Sequence, residues 1–97
     1  MAGAINTPAY RRFLELLIAF RKERGISQLQ MAERLGRHST WVSKSELGER
    51  RLDPIELTVL ADAMDVEADE LFALVKRAVA EGAKDARPSA GGGGEPR

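Results

Sequence analysis

The sequence predicts an all-α fold, a compact set of five helices followed by a disordered tail. Three observations carry that expectation. Apolar residues recur at helical spacing in five segments, the segments are bracketed by capping residues, Pro and Gly, and beyond Gly82 the composition changes to Ala, Gly, Pro, Ser and charge.

The first helix opens at Thr7, whose hydroxyl can accept from an early backbone N–H, with Pro8 at the first helical position, where its missing N–H is not needed. Phe13, Leu17 and Phe20 form a stripe toward the core, and Gly25 stops the helix. The second helix opens with a capping box, Ser27 and Gln30, in which each side chain satisfies the other residue's orphan N–H. Met31, Ala32 and Leu35 give it one apolar face, and Gly36 follows where a residue with positive φ closes a helix and turns the chain. A third helix restarts almost at once, because Ser39 and Thr40 favour helix starts and Val42 supplies an inward anchor; Gly48 ends it. Two short helices joined by a tight turn over residues 27–47 have the layout of a helix-turn-helix. Ser39, Thr40, Ser43 and Lys44 fall on the outer side of its second helix. Small polar groups and one cation suit base edges and phosphates in a major groove, and they suit water too.

Asp53 caps a fourth helix with Pro54 in its first turn, and Ile55, Val59, Leu60 and Ala63 repeat at helical spacing. Asp65 and Val66 form the break after it. The fifth helix is expected from about Ala68 to Ala80, with Leu71, Phe72, Val75 and Val79 on one side. The predicted domain covers residues 8–80. Residues 82–97, a Gly/Pro-rich tail with four glycines at 91–94, cannot bury enough apolar surface to order themselves.

A chain of 97 residues fits one domain with little room for an enclosed active site. It has no cysteine, so neither a disulfide framework nor a thiolate metal site is available, and its one histidine, His38, cannot make a metal site by itself. The apolar run Leu16 to Phe20 is far too short to span a bilayer and lacks the flanks of a secretion signal, which makes the cytoplasm the expected location. No nucleophile stands with a base, and the glycines at 91–94 follow no strand that would make them a phosphate loop. Neither an enzyme nor a cofactor is expected.

The net charge of zero hides an uneven distribution. Between residues 21 and 51 lie eight cations (Arg21, Lys22, Arg24, Arg34, Arg37, Lys44, Arg50 and Arg51) against four acids, whereas residues 52–97 hold five cations and ten acids. A basic region beside an acidic one fits a DNA-facing side and a solvent-facing or protein-facing side; charge alone fits two solvated surfaces equally well.

Six stretches bring these features together: Arg21 to Gln28, Met31 to Gly36, Val42 to Lys44, Glu46, Gly48 to Asp53, and Leu60 to Val66. In this order and spacing, from Leu17 to about Leu74, the sequence resembles the lambda-repressor and Cro-like helix-turn-helix regulators, the XRE family. The resemblance implies a lambda-repressor-like DNA-binding domain in which Ser39, Thr40 and Lys44 occupy base-reading positions and His38 adds a contact. It favours a phosphate at Gln28, at the first position of the second helix, where a side-chain amide and a helix N-terminus can both hold one. It places Arg50 and Arg51 in a loop that passes the DNA backbone, as phosphate clamps. Trp41 falls where the family often has an aromatic, either against the sugar-phosphate backbone or packed on the first helix. The resemblance also pairs Arg21 with Glu46 between the first and third helices, an ion pair that orients the reading helix. Ser45 departs from the pattern, which usually has a larger apolar residue there, so packing is expected to be looser or filled by Trp41.

The function implied is that of a sequence-specific double-stranded-DNA-binding transcriptional regulator, a repressor, working as a homodimer on a palindromic operator. Leu71, Phe72, Val75 and Val79 are candidates for the dimer contact or for closing the core. Two alternatives stand beside this reading: the antitoxin of a toxin-antitoxin pair, holding a toxin protein through its acidic helices or tail, and a protein-interaction module that keeps the fold without DNA binding.

Overall fold

The computed structural model describes residues 7–86, which form five α-helices: α1 (Pro8–Glu23), α2 (Gln28–Leu35), α3 (Ser39–Leu47), α4 (Pro54–Ala63) and α5 (Ala68–Ala86). No strand occurs among the described residues, and no helix is long and apolar enough to cross a membrane.

Local chemistry sets the helix ends. Thr7 Oγ1 accepts from the Tyr10 N–H at 3.2 Å. At α2 the Gln30 N–H donates to Ser27 Oγ at 3.0 Å, and Gln30 Oε1 accepts from the Ser27 N–H at 2.8 Å. Asp53 and Glu56 form a second such box at α4, at 2.7 and 2.9 Å. Gly36 and Gly48 bracket α3 with φ of +68° and +85°. A Cβ at Gly36 would meet nothing within 4 Å, so the demand there is for the left-handed backbone alone. Asp65 takes the same region, at φ +61°, in the break before α5, where a short polar side chain tolerates it.

The helices α1 and α5 pack along each other, α2 crosses α3 and touches α4, α3 rests on α1, and α4 lies against α5. Phe13, Leu14, Leu16 and Leu17 of α1 meet Met31 and Ala32 of α2, Val42 of α3, Leu57, Leu60 and Ala61 of α4, and Leu71 and Ala78 of α5 in one core. Polar contacts also join its parts. Tyr10 Oη accepts from the Leu52 N–H at 2.9 Å, which anchors the loop after α3 to α1, and Arg34 Nη1 donates to the Ala63 carbonyl at 2.9 Å, which closes the end of α4 from α2.

Two predicted faces are displaced. On α4 the buried residues are Leu57, Leu60 and Ala61, while Ile55 is 73% exposed and Val59 48%. The helix is apolar nearly all round, so two different stripes satisfy helical spacing and periodicity cannot choose between them. On α5 Leu71 and Ala78 are buried, Val75 is half-buried, and Phe72 and Val79 stand outward. The same helix continues past Ala80 to Ala86, so residues 82–86 of the expected tail are helical; residues 87–97 lie outside the described residues.

Gly82 is buried where α5 meets α1: a Cβ there would collide with the Ala9 Cα and come 2.6 Å from its N. Those are backbone atoms, which cannot swing aside as a side-chain end can. Gly82→Ala should therefore lower the thermal unfolding midpoint, although the same change in an open helix interior stabilises by about 1 kcal/mol. A raised midpoint would contradict the close approach.

Candidate nucleic-acid interface

Of the nine residues in α3, only Val42 and Ser45 are fully buried. So small an apolar anchor leaves the helix in need of another hold. Arg21 and Glu46 provide it: Nε donates to Oε2 at 2.7 Å and Nη2 to Oε1 at 2.9 Å, with the side chains 6% and 8% exposed. This is the two-pronged geometry that a planar guanidinium and a carboxylate favour. Arg21 Nη1 also donates to the Ile26 carbonyl at 2.7 Å, and Gln28 Nε2 to Glu46 Oε1 at 2.9 Å. The Gln28 amide, read from sequence as a phosphate donor, thus has one N–H committed inside the protein; the N-terminus of α2 on which it sits still faces outward.

The four side chains read from sequence as base contacts, His38, Ser39, Thr40 and Lys44, are all exposed, at the N-cap, the first turn and the middle of α3. Among the described residues none of them has a hydrogen-bond or ion-pair partner for its side chain. Ser43, between them, donates back to the Thr40 carbonyl at 3.2 Å. They form one polar face on a helix whose opposite side is fixed to the core.

Beside that face lies Trp41, half-buried, with the guanidinium carbons of Arg37 and Arg50 at 4.6 and 4.4 Å from its ring centroid. Arg50 is engaged in two further ways, donating to Ser45 Oγ at 3.3 Å and to Glu56 Oε2 at 2.7 Å. Sequence placed it as a phosphate clamp; the geometry makes it chiefly a fastener between the loop, α3 and α4. Arg51 lies over the Tyr10 ring at 4.7 Å. Ser45 is buried, and its hydroxyl donates to the Trp41 carbonyl at 2.8 Å. Only a void of about 20 Å³ remains near it, room for a single water at most. Trp41 lines the same void beside Ser45.

Several of the cations counted in the sequence have acceptors within the protein. Arg21, Arg24, Arg34 and Arg50 all donate to acceptors of the protein itself. Sequence reasoning missed the Arg37–Trp41 contact and the Arg50–Glu56 pair. For the latter a signal existed, since Glu56 stands three residues after the Asp53 cap, where a capping box puts its acid.

The Arg50 hydrogen bond holds the Glu56 carboxyl below the usual carboxylate range, opposed by partial burial and helped by the Asp53 N–H and by the charges of Arg50 and Arg37. A carboxyl whose folded pKa is depressed contributes stability that is present above its unfolded value, near 4.3, and lost as pH falls through the folded value. Arg50→Ala should lower the urea midpoint at pH 7, and the drop between pH 7 and pH 3 should be smaller than in the wild type. An unchanged acid dependence would exclude the pair as a source of stability.

Comparison with known proteins matches this architecture. The helix-turn-helix domain family matches residues 10–74. Among solved structures, the chain is similar to an XRE-family like protein from Pseudomonas syringae pv. tomato str. DC3000, with 35% identity and a TM-score of 0.68 over 77% of this chain and 92% of that one. No curated protein matches. With capped α2, left-handed Gly36 and exposed α3 in the order of the motif, and with both matches spanning most of the chain, the protein belongs to the XRE family of helix-turn-helix proteins.

Proposed function

We propose that this DNA-binding regulator reads the major groove of a double-stranded operator with α3, and that His38, Ser39, Thr40 and Lys44 meet the base edges. The observation that carries the reading is the state of that face: four exposed polar side chains without intramolecular partners, on a helix locked from behind by the Arg21–Glu46 pair. A reading surface needs both properties, because free donors and acceptors supply the code and a rigid scaffold supplies the register. Phosphates on either side are met by the N-terminus of α2 at Gln28 and by the loop that carries Arg51. The role proposed is that of a repressor: a domain bound at an operator excludes other proteins from the DNA it covers.

One reading helix covers too few base pairs for useful discrimination, so the working form is a homodimer on a palindrome with half-sites about 34 Å apart. The outward placement of Phe72 and Val79 supports this. They border an apolar groove of about 290 Å³ with Tyr10, Pro54, Leu57 and Val75, and a second copy is the natural cover for such a face.

Lys44→Ala should leave stability within about 0.5 kcal/mol, as surface changes do, and relax preference at one or two base pairs per half-site by about 1 to 3 kcal/mol. Selection from randomised DNA with wild type and variant measures this; the same sequences in the same ranking would remove α3 as the reading helix. Light scattering of the protein on its selected site should give two protomers per duplex. A one-to-one complex would eliminate the dimer.

A further inference from the structure

The turn between α2 and α3 puts a cation at the edge of the reading face that neither charge counting nor the helix pattern distinguishes. Arg37 lies between Gly36, whose positive φ turns the chain, and His38, the N-cap of α3, and its N–H donates to the Ala32 carbonyl at 2.9 Å. Its backbone is therefore set by the end of α2. Its side chain is exposed, with the guanidinium carbon 4.6 Å from the Trp41 ring centroid, and among the described residues it forms no ion pair. At 100° per residue, Trp41 falls on the border between the buried and outer sides of α3, next to Thr40 and Lys44. The second cation over the same indole, Arg50, already has a carboxylate partner in Glu56 and a hydroxyl partner in Ser45. One of the two stacked guanidinium groups is thus paired within the protein, and the other is presented outward.

We propose that Arg37 is a phosphate contact at the edge of the groove that α3 enters, and that Trp41 is the positioning residue that holds it there; the proposal rests on the DNA-binding reading above. A free Arg side chain surrenders its rotamer freedom when it binds, whereas one stacked on a ring has already given up much of it. The guanidinium keeps its N–H donors at its rim, where a phosphate can take two at once. Stacking on the tryptophan also separates Arg37 from a merely diffuse positive charge: its contribution depends on a planar group over a planar ring.

The test begins with the site that the full-length wild type selects from randomised duplex DNA. Failure to select any site would overturn the DNA-binding reading itself, and this proposal with it. On a selected site, Arg37→Ala should lower the magnitude of the slope of log affinity against log salt by about 0.9, one phosphate's worth, so that its deficit relative to wild type narrows about 3.5-fold between 50 and 200 mM salt. Its sequence ranking should be unchanged. Trp41→Phe, which keeps a ring, should retain the wild-type slope; Trp41→Leu should show the slope of Arg37→Ala, and combining Trp41→Leu with Arg37→Ala should reduce it no further. Arg37→Lys, which keeps the charge and loses the planar stack, should bind nearly as weakly as Arg37→Ala and gives the same information if Trp41→Leu does not fold. Wild-type slope and affinity in Arg37→Ala would overturn the phosphate contact while leaving the DNA-binding reading intact. Wild-type affinity in Arg37→Lys, or a wild-type slope in folded Trp41→Leu, would overturn the role given to Trp41.

Discussion

Arg21 and Glu46 stand 25 positions apart, on α1 and α3, and the useful geometry of the molecule depends on their meeting inside it. The apolar anchor of α3 is too small to fix its rotation, and a carboxylate bound at two oxygens by a planar guanidinium tolerates little rotation. The same guanidinium also holds the Ile26 carbonyl, and the same carboxylate holds Gln28, so one buried charge pair sets α1, the turn before α2, the start of α2 and the pose of α3 together. Such a pair is a poor source of net stability, because removing both charges from water offsets much of their attraction. Its value lies in geometry. With either partner gone, the other is a buried charge without compensation, and α3 loses its reference.

That arrangement changes the meaning of the charge pattern. A count of cations along residues 21–51 treats every Arg as a potential partner for phosphate, yet four of them donate to oxygens of this chain. The cations nearest the reading face divide into Arg50, which ties a loop to α3 and α4, and Lys44 and Arg37, which stand exposed. On the proposed reading, affinity for DNA comes in part from such placed groups, and a placed group carries register as well as affinity.

The parts of the fold that were legible in the sequence are those decided within four or five residues. Thr7 with Pro8, Ser27 with Gln30, Gly36, Gly48 and Asp53 mark helix ends through bonds to their own neighbours, and all of them stand at helix ends in the structure. What was not legible depends on which neighbour a helix meets. Ile55 and Val59 repeat as well as Leu57 and Leu60 do, and only the positions of α2 and α5 decide which pair is covered. Gly82 looks like the start of a tail until α1 lies against it. At the interface the exposed polar residues of α3 could be read from their pattern, and the pairing of Arg21 with Glu46 came from family resemblance alone. The engagement of Arg50 was only half legible: the capping position of Glu56 offered it an acid on α4, but its second bond, to Ser45 on α3, depends on how the loop folds back.

The contact of Gly82 with Ala9 bears on how the chain is made. The helix that begins the described chain is covered by the helix that ends it, while α2 and α3 find each other within a few residues. During synthesis the helix-turn-helix therefore has its local partners early, but α1 lacks its most extensive partner until the last turns of α5 have left the ribosome. A nascent chain stopped after α4 holds the whole helix-turn-helix and lacks the helix that closes the bundle beneath it. The bundle thus closes when α5 is complete and not before, rather than accumulating as a half-built fragment.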